Sequence, residues 1–198
     1  MSAAIQWTLV SVEDYLAGEL VSPIKHEYLA GTLHAMAGAR IAHNNISSNI
    51  VVATGSRLRG KRCRVYTSDM KVRIQLSDHI RFYYPDVSIV CESNPPTIAY
   101  QDKPAAIFEV LSQDTRRADI GEKKDAYLTI PSLHAYVLVE QHAPLVVVFR
   151  RTSKGFEREV HEGLDAVVPL REVGIELPLA EIYEAVTFTP ETCANEEG

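Results

Sequence analysis

Between residues 63 and 111 the chain lays down five short β-prone runs, CRVYT, KVRIQL, IRFYY, DVSIVC and AAIFEVL. Polar or proline-containing breaks such as ESNPPTIAYQDKP separate them, which is the pattern of successive strands rather than of helices. Helical patterns flank the block. From Arg40 to Leu58 there is no proline, and Ile46, Ile50 and Ala53 recur at helical spacing, so a long helix is predicted to end near Gly60. A second helix is predicted from Thr115 to about Ile130, started by Asp114 and Thr115 and closed by Pro131. HAYVLVE and PLVVVFR then read as two strands that could serve a core or a dimer edge. Weaker strands follow around Phe156 to Val160 and Gly174 to Leu177.

Ahead of the block, Ser11 with Glu13 and Asp14 marks a helix start, and the helix is expected to end near Gly18. In HEYLAGTLHAM two short arms flank Ala30 and Gly31, a tight hairpin in which glycine supplies the positive backbone angle. The expected fold is therefore α/β, a mixed central sheet flanked by helices, with an N-terminal hairpin and additional C-terminal strands.

A chain of 198 residues suits one domain, placed at 1–187, and residues 188–198 read as a disordered acidic tail. No stretch approaches the roughly 20 apolar residues of a membrane span, and MSAAIQWTLV lacks the features of a signal peptide. A cytoplasmic protein with no membrane partner is the expectation. Cys63, Cys91 and Cys193 form no CxxC pair and are widely spaced, so reduced thiols are expected rather than a disulfide or zinc site. The net charge of −6 argues against a protein that coats nucleic acid nonspecifically.

Several charges stand where apolar residues belong. Side chains alternate across a strand, so Glu109 shares a face with Ile107 and Leu111 while Ala106, Phe108 and Val110 share the other. An unpaired carboxylate in such a place costs several kcal/mol, roughly, and calls for a partner or a metal. Asp86 follows Pro85 at the head of the preceding strand, and two acids at neighbouring strand ends point to a hard divalent cation between them. On a helical wheel Lys123 falls on the apolar face marked by Ile120, Tyr127 and Ile130, with Lys124 toward its edge. Glu27, on the first hairpin arm, is unremarkable by itself. His26, His34 and His43 lie in no metal-ligand spacing, and isolated histidines of this kind read as structural.

The proline-aspartate at a strand start, the glutamate in the next apolar strand and the nearby lysine resemble the PD-(D/E)XK nuclease superfamily. HEYLAGTLHAM, YYPDVSIVC, FEVLSQDTRRADIGEKKDAY and PSLHAYVLVE, in that order, resemble more specifically the Uma-two family of restriction-type endonucleases, over about Ser11 to Tyr183. The combination of EVLS, TRRAD, GEK and Tyr127, four residues past Lys123, is the specific part. The resemblance implies a restriction endonuclease-like fold in which Asp86 and Glu109 bind Mg2+ or Mn2+. Glu27 becomes the hairpin acid, able to serve a second metal, and Lys123 the helical lysine. It also implies a nucleic-acid partner, DNA first, and a homodimer. One departure is plain: Val110 and Leu111 follow Glu109, so no strand lysine is present. RLRGKRCR, with Arg57, Arg59, Lys61, Arg62 and Arg64, is the densest basic run, and Arg116 and Arg117 could extend the same rim. Three functions fit these residues: a metal-dependent endonuclease, a noncatalytic nucleic-acid-binding or assembly module, and a carboxylate-based glycoside hydrolase. The single Trp and the unexplained Lys123 count against the last.

Overall fold

The computed structural model describes residues 9–188 of the chain. Helix α1 (Val12–Glu19) starts where Ser11 accepts a hydrogen bond from the Asp14 amide, and it leads into the hairpin β1 (His26–Leu29) and β2 (Thr32–Ala35). The two-residue turn carries Ala30 at φ 49° as well as Gly31 at φ 97°. Leu9 packs against Gly31 so closely that a Cβ there would lie 2.8 Å from it.

The long helix α2 (Ile41–Leu58) buries Ile46, Ile50 and Ala53 as its spacing predicts. Strands β3 (Arg64–Thr67), β4 (Lys71–Gln75), β5 (Ile80–Tyr83), β6 (Val87–Val90), β7 (Tyr100–Gln101) and β8 (Pro104–Leu111) follow. Helices α3 (Arg116–Ile120) and α4 (Glu122–Tyr127) come next, then β9 (Ala135–Glu140), β10 (Leu145–Thr152), β11 (Gly155–Glu162), β12 (Val167–Leu170), β13 (Ile175–Pro178) and α5 (Leu179–Ile182).

The strands do not form one central sheet. A six-stranded sheet runs β11-β10-β9-β8-β6-β3, a five-stranded sheet runs β2-β1-β5-β4-β7, and β12 pairs with β13 alone. One apolar core lies on the face of the six-stranded sheet that presents Ala106, Phe108 and Val110, with α2, β13 and α5 against it. The opposite face presents Ile107 and Leu111, and it meets Val72, Ile74 and Tyr83 of the five-stranded sheet together with Tyr127 of α4. The outer face of the smaller sheet is closed by α1 through Tyr15, Tyr28 and Phe82.

Three expectations are corrected. The helix predicted from Thr115 to Ile130 is two short helices broken at Gly121, where a side chain would place its Cβ 2.9 Å from the Arg117 carbonyl oxygen. Neither Asp114 nor Thr115 caps it by its side chain; the Ser112 hydroxyl accepts from the Thr115 amide instead. Strands β9 and β10 are interior, with β11 covering β10, so neither offers a free edge.

The third correction concerns the thiols. β3 and β6 pair antiparallel with Arg64 opposite Val90, so one step further Cys63 faces Cys91, and the two form a disulfide. A separation of 28 residues hid this pairing from a search for close spacing. Cys193 and the predicted acidic tail beyond residue 188 lie outside the described residues. Closing a loop of this length is worth about 3–4 kcal/mol. Thermal melts with and without reductant should therefore differ by that amount; identical melts, or alkylation of both residues without reduction, would remove the bond from the native state.

Candidate active site

The register of the six-stranded sheet assembles the acids. β6 pairs antiparallel with β8, with Val87 opposite Phe108, and the next step places Asp86 opposite Glu109. Their backbones interlock the two carboxylates. The Asp86 amide donates to Glu109 Oε2 at 3.2 Å, and the Val110 amide donates to Asp86 Oδ2 at 2.7 Å. Glu109 is 3% exposed, and its Oε1 has no hydrogen-bond partner.

Lys123 enters this space from α4. Its Nζ lies 2.8 Å from Glu27 Oε1, 3.5 Å from Asp119 Oδ1 and 4.0 Å from Glu109 Oε1, and sits over the Tyr83 ring at 5.5 Å. Glu27 reaches it from β1 across the gap between the two sheets. Asp119, on α3, is 2% exposed, and the Tyr136 hydroxyl donates to its backbone carbonyl, tying that helix to β9.

Burial sets the electrostatics. It drives the Glu109 pKa well above the usual carboxylate range, helped by Asp119, Asp86 and Glu27, and Lys123 offsets this only in part. Asp119 is raised for the same first reason. Burial alone would lower the Lys123 pKa, but attraction to Glu109, Glu27 and Asp119 outweighs it and the net direction is upward. Lys123 is thus a fixed cation at neutral pH and no general base.

The structure therefore brings Glu27, Asp86, Glu109 and Lys123 into one cluster. It adds two residues that spacing did not reveal. Asp119 could have been suspected from its place four residues before Lys123. His43, in the first turn of α2, places Nε2 3.1 Å from Asp86 Oδ2, and no local spacing signals it. Burial lowers the His43 pKa, but the hydrogen bond and charge of Asp86 raise it, with a net upward shift.

The basic run is elsewhere. Arg57 lies 14 residues beyond His43 on α2, about 21 Å along the helix, and pairs with Glu181. Lys61 donates to the Gly174 carbonyl, Arg62 to that of Cys91 and Arg64 to that of Cys63. Arg59 is exposed. Arg116 forms a bidentate pair with Glu140 at 2.7 Å, while Arg117 is exposed.

Leu111, at the position of the expected strand lysine, is buried in the core between the sheets. The ammonium of Lys123 comes from the helix instead. As for a metal, no group of three or more His, Cys, Asp and Glu among the described residues is arranged to hold one. The interlocked pair Asp86 and Glu109, with the orphaned Glu109 Oε1, nonetheless supplies hard oxygen donors of the kind Mg2+ or Mn2+ takes.

Two facing sheets with acids at a strand pair and a lysine between them define a restriction endonuclease-like fold. The model of the Uma2 family, described as "Putative restriction endonuclease", matches residues 12–180, and the chain belongs to that family. A solved structure titled as "a putative nuclease belonging to DUF820" from Anabaena variabilis superposes with a TM-score of 0.67. It is 19% identical, covering 85% of this chain and 96% of that one. Two proteins of Synechocystis are similar in sequence, both described as uncharacterized. One, slr1290, is 27% identical over 90% of this chain and 94% of its own length; the other, sll1609, is 29% identical over 67% and 76%. No helix among the described residues is long and apolar enough to cross a membrane.

Proposed function

We propose that the protein is a metal-dependent endonuclease that hydrolyses phosphodiester bonds, with DNA as substrate. One observation carries the reading: Asp86 and Glu109 are interlocked on adjacent strands beside a buried, permanently charged lysine. Family membership supports it.

Asp86 and Glu109 would hold Mg2+ or Mn2+, which when bound polarises a phosphate and lowers the pKa of an attacking water. Lys123 supplies positive charge where the phosphorus centre gains negative charge, or orients the water. Its fixed protonation confines it to that electrostatic role. Glu27 and Asp119 hold the ammonium in place, and Glu27 would in addition serve a second metal or its water shell. The exposed cations Arg59 and Arg117, and the basic run at the far end of α2, would contact the nucleic-acid backbone away from the scissile bond. Two copies acting as a homodimer would cut one strand each.

The test is plasmid nicking with Mg2+ or Mn2+, beside calorimetry of metal binding. Wild type should bind metal and nick, while Asp86→Ala should do neither and chelator should silence the wild type. Nicking that survives Asp86→Ala would sink the proposal. DNA binding with metal-independent silence in the wild type would favour the noncatalytic module, to which the absent strand lysine at Leu111 points.

A further inference from the structure

We infer that His43 is a positioning residue for the acid pair: it fixes the Asp86 carboxylate in the orientation that a divalent cation needs. The inference rests on reading Asp86 and Glu109 as the metal-binding pair.

Asp86 heads β6 at the mouth of the sheet, where its side chain is 17% exposed and lacks the enclosure that holds Glu109. Two donors instead act on one oxygen. The Val110 amide meets Oδ2 from the neighbouring strand at 2.7 Å, and His43 Nε2 meets the same atom from α2 at 3.1 Å. A carboxylate held by two donors from different elements has a set torsion, and its other oxygen faces one direction. The amide belongs to the backbone and is insensitive to sequence. His43 is therefore the side chain that decides how firmly Asp86 is held.

His43 is placed for this by the helix that carries it. It stands in the first turn of α2, and Ile46 and Ile50 on the same helix are fully buried against the six-stranded sheet. That packing makes the helix a rigid arm for the imidazole. Hydrogen-bonded partners that orient a metal ligand are worth about 10- to 100-fold in metal affinity.

The experiment is Mn2+ calorimetry on wild type, His43→Ala and His43→Gln, with metal-free melting curves and steady-state nicking on each. Glutamine can return a donor close to the place of Nε2. His43→Ala should bind Mn2+ about 10- to 100-fold more weakly, at a melting temperature close to wild type. It should lose kcat with little change in KM for DNA, and His43→Gln should recover most of the affinity. Wild-type binding together with unaltered binding in His43→Ala would overturn this inference alone. So would a rise in KM at constant kcat, which marks a direct phosphate contact, or a loss of affinity that merely follows a fall in melting temperature. Wild-type protein that takes up no Mn2+ would overturn the reading of the acid pair, and the role of His43 with it.

Discussion

Glu109→Gln is expected to give a protein that melts higher than wild type and cuts nothing. Glu109 sits between Ile107 and Leu111 in the core between the sheets, with Oε1 unbonded and the nearest ammonium 4.0 Å away. Burial therefore outweighs attraction, and its pKa is raised. Glutamine keeps an acceptor for the Asp86 amide and removes the cost of burying an ionisable carboxyl. Substitutions of this kind at strained functional sites stabilise by about 0.5–2 kcal/mol, or a few degrees in a chain of this size. A carboxyl whose folded pKa exceeds its unfolded value adds stability below the unfolded value and loses it as pH rises through the folded one. The melting gap between variant and wild type should thus widen as pH climbs from the ordinary carboxylate range through neutrality. Scanning calorimetry over a pH series, with nicking and metal binding measured on the same samples, checks both halves. A variant that melts below wild type at neutral pH would show that Glu109 is stabilising as an anion. That outcome would remove the argument that function keeps a costly charge there.

How much of this site was legible in the sequence depends on the range of the contacts that make it. Glu109 was found because strand alternation is a local rule, and the two cores fall on the predicted faces. Lys123 was found although its helix is broken at Gly121, because Tyr127 shares its α4 segment and keeps the register. Ile120, which ends α3 ahead of the break, dropped off the apolar face and is 38% exposed. Asp119 was missed because an acid four residues before a lysine reads as a surface pair. Its burial comes from β9, through Tyr136, which is distant in sequence. His43 was missed for the same reason, since only packing of α2 on the sheet brings it to Asp86. The second sheet depends on pairing β1 with β5, Tyr28 opposite Phe82, across more than fifty residues. The disulfide needed the register of β3 on β6. Local periodicity placed the charges on the correct faces, and non-local pairing decided which of them meet.

Lys123→Met should do the reverse of Glu109→Gln: lose stability and retain metal binding. Lys123 is buried, and its ammonium is the shared partner of Glu27, Asp119 and Glu109. Methionine fills a similar volume with no charge, so the change isolates electrostatics from packing. Removing one member of a buried ionic group leaves the others uncompensated and costs about 3–5 kcal/mol, roughly 6–20 °C in melting temperature. Lowering the pH should restore part of the loss, because without the ammonium the folded pKa values of Glu109 and Asp119, already raised by burial, rise further and protonation then favours the folded state. Adding Glu27→Gln should restore another part, since Glu27 makes the closest contact at 2.8 Å. Mn2+ should raise the melting temperature of Lys123→Met by at least as much as that of wild type, because Asp86 and Glu109 are intact, while nicking is lost. Melting within about 1 kcal/mol of wild type would mean that water or a neighbouring cation reaches the three acids. The ammonium would then be dispensable to the fold, and its retention among three carboxylates would rest on chemistry alone.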